Sequence, residues 1–385
     1  MKELVIDCET TISNEGDPFD ETNRLCLVGT LRTNSINIVD IEYSGFANVN
    51  LLDSLLETIN EADLVILFNA KFDLHWLRRY GLTLTRNQRV WDCQLAEFIL
   101  GHQTESYPSL NGACEKRGLG SKKDEVSEYW EKGIDTPYIP STVLLPYLQR
   151  DLELTYKLYQ EQLKDFVKHP KLYQLFKLQC LDLLVLAEME WNGFKYNTAA
   201  SLKKAEEERA RLKLIEEKLS KLVPIPGINW NSGDHLSCCL YGGTVSIASR
   251  VVVGSYKTGD RVGEQKWGWT TVEHTLPRLV EPLERTKLKK EGYWATSRDV
   301  LEQLPAKGLA KEIINLVLEQ SELDKLIGTY YEGIPKIIEK HHWKDNMVHS
   351  QLNQCVARTG RLSSSKPNQQ NMPPDADYFV ESRYV

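Results

Sequence analysis

No apolar run in the 385 residues approaches the ~18 that a membrane-spanning helix needs, so no helical span is expected. The opening stretch MKELVIDCETT has an acid inside its apolar run and no small-residue cleavage site, so no secretory leader is expected either. The eight cysteines (Cys8, Cys26, Cys93, Cys114, Cys180, Cys238, Cys239, Cys355) form no CxxC pair. That spacing argues against a disulfide framework or a zinc ribbon and points to reduced, buried thiols in a cytoplasmic protein. Internal repeats and low-complexity tails are absent. A strong positive charge is also lacking: the net charge is −7.

That charge is unevenly spread. Residues 1–165 carry 16 basic and 27 acidic side chains, whereas residues 166–385 carry 31 basic and 27 acidic. An acidic front suits metal ions, and a mildly basic back suits a polyanion.

The front alternates strand-like and helix-like patterns. ELVIDCE, LCLVGTL, INIVDI and DLVILFN are short β-branched or buried runs. NLLDSLLETINEA, FDLHWLRRYG (ended by Gly81), the stretch after VWD, and TVLLPYLQRDLELTYKLYQEQL have helical spacing. Strands first, then strands alternating with helices, predict an α/β domain with a mixed sheet covered by helices. Beyond residue 166 the pattern is mainly helical. Two long helices meet at Gly193, and the second turns Leu202, Leu212, Ile215, Leu219 and Leu222 towards one side. Residues 254–295, rich in Gly, Lys and Trp, interrupt this as a hairpin-bearing insertion.

Asp7 and Glu9 lie two apart at the end of the first strand, on one face of it. Asp73 follows the strand LVILFN. Tyr147 and Asp151 share a helix face at i,i+4. Four carboxylates brought together need counter-charge, because like charges at short range raise one another's pKa. Two Mg²⁺ (or Mn²⁺) ions with oxygen ligands would supply it and would suit phosphodiester chemistry. Lys71 and His75 read as surface charge on a short helix, and Asp92 as the cap of the helix after VWD.

The residues Asp7 and Glu9 in VIDCETT, Asn69 and Asp73 in NAKFD, and Tyr147 and Asp151 in YLQRD resemble the three motifs of four-carboxylate 3′→5′ exonucleases of the tyrosine type. TGRLSSSKPNQQNMP resembles the palm motif that precedes the first catalytic aspartate of family A DNA polymerases of bacteriophage type. INWNSGDHLSCCLYGG, YWATSRDVLEQL and ELDKLIGTYYEGI resemble thumb segments. Gln369 departs from the pattern, standing where a leucine is common.

The resemblance implies a ribonuclease H-like exonuclease domain at 1–165, a helical thumb at 166–345 with the insertion, and a palm edge at 346–385. It implies Asp7, Glu9, Asp73 and Asp151 as metal ligands and Tyr147 as the residue that positions water. Asn69 would contact the primer strand. Arg358, Arg361, Asn368, Gln370 and Asn371 would contact primer–template DNA. The strand bearing the first polymerase aspartate is not among these residues, and Asp375 and Asp377 are poor substitutes in their Pro-led polar stretch. Half of a split phage polymerase, completed by a second polypeptide and acting in the bacterial host cytoplasm, is therefore expected. A truncated product, a stand-alone DNA exonuclease with a vestigial palm segment and a non-catalytic DNA-binding subunit are the alternatives. The basic–aromatic group Lys257, Arg261, Lys266, Trp267 and Trp269 is open between a DNA contact, an accessory-protein face and a hairpin anchor.

Overall fold

The computed structural model describes residues 1–385 except 34, 46–48, 86, 122–124, 260 and 383–385. It divides into two compact units, Met1–Thr198 with Ile334–Val385, and Ala199–Gly333.

In the first unit the buried run Leu4–Ile6 puts β1 (Glu3–Thr10) in the middle of a five-stranded sheet. β1 pairs antiparallel with β2 (Leu25–Arg32), which pairs antiparallel with β3 (Ser35–Asp40). Helix α1 (Val49–Asn60) then leads to β4 (Leu64–Leu67), which joins β1 in parallel. All four β4 residues are buried, as expected of a parallel strand covered on both faces. Helix α2 (Ala70–Arg79) crosses to β5 (Arg89–Asp92), parallel to β4, and α3 (Cys93–Leu100) follows directly. The order β3-β2-β1-β4-β5 is the expected mixed sheet. Asp92 caps α3 as expected, accepting from Gln94 N at 2.8 Å and Leu95 N at 3.1 Å.

Two short helices, α4 (Leu110–Lys116) and α5 (Ser127–Glu131), precede α6 (Ser141–Lys168). Helix α6 lies against β1 and β2 because one strand position is bare. A Cβ on Gly29 would stand 2.8 Å from Leu152 Cδ1 and 3.0 Å from Leu148 Cδ1. Gly29 is also the register partner of Asp7, so this close approach carries α6 over the sheet at the level of the first acid. Helix α7 (Pro170–Asn192) starts with a proline at its first position, where no N–H is needed. It ends at Gly193, and the three-residue strand β6 (Phe194–Tyr196), too short to announce itself in the sequence, follows.

The second unit holds most of α8 (Thr198–Leu222) and then α9 (Gly233–Tyr241). Leu212, Ile215 and Leu219 of α8 are buried as expected, but Leu202 is exposed. Ser201 and Ala205 face inward in its place, and Ser201 Oγ donates to Tyr331 O at 3.0 Å. The hairpin starts earlier than expected: β7 (Gly243–Ser255) pairs antiparallel with β8 (Gln265–Leu276). Two successive positive-φ glycines, Gly242 and Gly243, end α9 and open the strand. Helices α10 (Arg298–Gln303) and α11 (Gly308–Lys325) follow, and α11 runs into a π-helical turn at Leu326–Tyr331.

The chain returns to the first unit through α12 (Gly333–Lys340). Strand β9 (Met347–Val348) pairs with β6. Strand β10 (Gln351–Asn353) pairs with β11 (Ser363–Ser365). Asp375 and Asp377 fall in the short helix α13 (Pro374–Asp377), and β12 (Val380–Ser382) pairs with the other edge of β6. No helix among the described residues is long and apolar enough to cross a membrane.

Candidate functional site

Strand alternation places Asp7 and Glu9 on one side of β1, with Cys8 buried between them. Asp73, 2% exposed in the first turns of α2, reaches that strand: its Oδ1 accepts the Cys8 backbone N–H at 3.1 Å. Burial pushes the Asp73 carboxyl well up from the usual carboxylate range, and the negative charge of Asp7 pushes it further. The Cys8 thiol is likewise held up by burial, then by Asp73, Asp7 and Glu9. Three acids from two separate motifs therefore act on one point of the strand. Asp151 is buried on α6. Tyr147, one turn earlier, is half-buried and meets the Trp130 ring edge-on at 6.2 Å.

The donor set is all carboxylate, which fits a hard divalent cation and does not fit zinc chosen by thiolate or imidazole. Among the described residues, no three His, Cys, Asp or Glu side chains are already drawn together tightly enough to enclose a metal ion.

Asn69 sits at the N-terminus of α2 in the left-handed region, at φ 62° and ψ 57°. Asp92 fixes it there: besides capping α3, its carboxylate accepts from Asn69 N at 3.3 Å and Ala70 N at 2.9 Å. Gly16 holds the loop after Glu9 over the same helix. Its carbonyl accepts from Trp76 Nε1 at 3.0 Å, and a Cβ there would press on Thr10 Oγ1 at 2.7 Å and Phe72 Cζ at 3.3 Å.

A cleft of about 450 Å³ opens beside Asn69 within this unit. Phe19, Phe72, Tyr107 and Trp343 give it aromatic walls, and Gln94, Gln351, Asn353, Lys71 and Lys366 give it polar groups. The expectation that Lys71 and His75 are surface charges is wrong. Glu190 of α7 is buried, and its carboxylate takes both the Lys71 ammonium and His75 Nε2, the latter at 2.9 Å. The same carboxylate accepts the Leu352 backbone N–H, and Lys71 also donates to the Leu352 carbonyl. Sequence reading missed Glu190. Its only signal is an acid within the long apolar stretch LDLLVLAEMEW.

The other expected DNA contacts do not line the cleft. Arg358, Arg361, Asn368, Gln370 and Asn371 are all exposed. Arg358 reaches Thr104 O at 3.5 Å. The Asn368 side-chain oxygen caps a short 3₁₀ turn by accepting from Gln370 N at 3.1 Å.

Residues 1–166 match the 3′–5′ exonuclease family, and residues 270–384 match DNA polymerase family A. The chain carries a 3′–5′ exonuclease domain and the start of a family A DNA polymerase domain. It is 28% identical over 306 residues to DNA polymerase I of Bacillus subtilis, covering 80% of this chain and 29% of that protein. For DNA polymerase I of Synechocystis the identity is 26%, over 83% and 28%. The thermostable DNA polymerase I of Thermus thermophilus is 31% identical over 49% of this chain and 18% of its own length. The chain thus spans less than a third of these bacterial relatives. In fold it resembles the structure described as the POL domain of Pol1 from M. smegmatis in complex with DNA primer-template and dNTP. The TM-score is 0.68 at 16% identity, over 99% of this chain and 54% of that one.

Proposed function

We propose that this chain removes nucleotides from the 3′ end of single-stranded DNA, as the proofreading part of a family A replicative polymerase. The observation that carries this reading is Asp73 hydrogen-bonded to the strand position between Asp7 and Glu9. Asp7, Glu9, Asp73 and Asp151 would hold Mg²⁺ or Mn²⁺, two ions in the complete site. When bound, those ions supply charge compensation and lower the pKa of water at the scissile phosphate. The Tyr147 hydroxyl orients the attacking water. The cleft takes the single strand, with Phe72 and Tyr107 stacking bases and Asn69 and Asn353 bonding sugar or base edges.

The exposed group Arg358, Arg361, Gln370 and Asn371 contacts primer–template DNA, with Asn368 shaping the turn beside it. Nucleotide addition, in this reading, is a joint property of this chain and a polypeptide carrying the rest of the palm and the fingers, as in a split phage polymerase. An accessory replication protein is a further partner of that assembly, which works in the host cytoplasm.

The test uses the purified chain and a 5′-labelled oligonucleotide. Stepwise shortening from the 3′ end is expected with Mg²⁺ and none with EDTA. Asp7→Ala with Glu9→Ala should abolish it, and undiminished cleavage by that double variant would sink the assignment. Mixing with the remaining palm and fingers should give primer extension that neither polypeptide shows alone.

A further inference from the structure

The distal half of the β7–β8 hairpin has a face that the fold does not use. The base of the hairpin is anchored, with Val245 and Ile247 buried against Cys238. Beyond Ala248 the register puts Arg250 opposite Trp269 and Val252 opposite Trp267, so these four side chains share one face. Trp269 is 75% exposed and Trp267 47% exposed, which rules out a hairpin anchor. The Arg250 guanidinium lies over the Trp267 ring, 5.3 Å from its centre. Along β8 the two indoles are two residues apart, roughly 7 Å.

The charge of this segment opposes that of the chain. Residues 248–270 hold four basic side chains (Arg250, Lys257, Arg261, Lys266) and two acidic ones (Asp260, Glu264), against −7 for the whole protein. Arg261 is paired with Glu264. Arg250, Lys257 and Lys266 make no ion pair among the described residues. Two exposed indoles beside the Arg250 guanidinium are a surface for unpaired bases and their phosphates. A duplex hides its base faces and cannot use the indoles.

We propose that the Arg250–Trp267–Trp269 face of the hairpin is a single-stranded DNA-binding site, separate from the cleft beside Asn69. It stacks bases on Trp267 and Trp269 and neutralises backbone phosphates with Arg250 on the same face and Lys257 towards the hairpin tip.

The test is a titration of the full chain with an oligothymidylate in EDTA, read by oligonucleotide anisotropy and by tryptophan emission. Trp267→Ala with Trp269→Ala should weaken binding about tenfold or more and remove most of the emission quenching. Arg250→Gln with Lys257→Gln leaves the indoles in place, and should flatten the log-affinity against log-salt slope by about 1.4. Unchanged affinity and quenching in the tryptophan variant would overturn the proposal. So would wild-type emission indifferent to DNA together with loss of self-association in the tryptophan variant, which would assign the face to protein contact. Hydrolysis of a trinucleotide with Mg²⁺ reports the carboxylate site independently. If the wild type fails to hydrolyse it, the exonuclease reading falls while this one stands.

Discussion

Glu190 Oε2 and His75 Nε2 stand 2.9 Å apart inside the protein, each about 5% exposed. Through this contact and the Lys71 ammonium, one carboxylate holds the helix that carries Asp73. Through the Leu352 N–H it also holds the strand that opens the palm-like segment. Helix α2 and β10 are therefore fastened to the same carboxylate.

Replacing one partner of a buried ion pair leaves the other charge uncompensated. Glu190→Gln should destabilise the protein by about 3–5 kcal/mol in urea unfolding. Exonuclease activity should fall with it even where the chain remains folded, because α2 loses its tether. A loss under about 1 kcal/mol would mean that Lys71 and His75 find solvent or other partners.

The same clasp sets an acid limit. His349 donates its Nδ1–H to the Glu190 carbonyl at 2.9 Å and stacks on Phe19 with ring centres 4.0 Å apart. Burial holds its pKa below the ordinary value. Burial of the Glu190 carboxyl acts to raise its pKa, but His75 and Lys71 outweigh that and the net shift is downward. Both folded-state values are depressed, so both groups stabilise above their unfolded pKa and lose that contribution as pH falls. Stability should decline first below roughly pH 6.5, from His349, and again below roughly pH 4, from Glu190. His349→Phe should remove the first decline in a series of melting curves, and a profile flat from pH 7 to 5 would contradict it.

The site also stores repulsion. With no cation bound, Asp73 is disfavoured as a carboxylate by burial and then by Asp7. Asp7→Asn removes that neighbouring charge. It should raise the stability of the metal-free protein on the order of 1 kcal/mol while abolishing cleavage. A drop in melting temperature would show that Asp7 is held by favourable contacts that exceed the repulsion.

What could be read in the sequence follows from range. β1 and β4 announce themselves as short apolar runs, and α2 and α6 because each buries a periodic apolar face; the acids ride on or beside those elements. Asp92 was legible as a cap but not as the acceptor for Asn69 and Ala70, since that contact spans two loops. Strand β6 has three residues, and its partners β9 and β12 lie far along the chain, so nothing local marks it. Lys71 and His75 look like solvated charges until α7 brings Glu190 against them. Leu202 misled because helical periodicity gives the spacing of a face, not which neighbouring residues turn inward.

Gly29 should be the most sensitive non-acidic position of the sheet. It faces Asp7 in register, and α6 approaches it closely enough that a Cβ would collide with both Leu148 and Leu152. Gly29→Val keeps strand propensity but forces α6 outward, carrying Asp151 and Tyr147 with it. Cleavage should fall at least 10²-fold, the scale of a displacement of about 1 Å at a positioned group, while circular dichroism keeps its helical and sheet content.

Tyr147→Phe separates orientation from scaffolding. The ring, packed edge-on against Trp130, is retained and only the hydroxyl is lost. Folding stability should change by no more than about 1 kcal/mol, the net worth of a typical hydrogen bond, since Tyr147 is only half-buried and its ring packing is kept. The cleavage rate on single-stranded DNA should drop about 10²-fold if the hydroxyl orients the nucleophile, the lower end of what a positioned proton-handling group contributes. Metal dependence should be preserved, because Asp7, Glu9, Asp73 and Asp151 are untouched. Single-turnover rates across a Mg²⁺ titration make the distinction. A lower plateau at an unchanged midpoint supports orientation by Tyr147, whereas a shifted midpoint with the same plateau would place the tyrosine in cation binding instead.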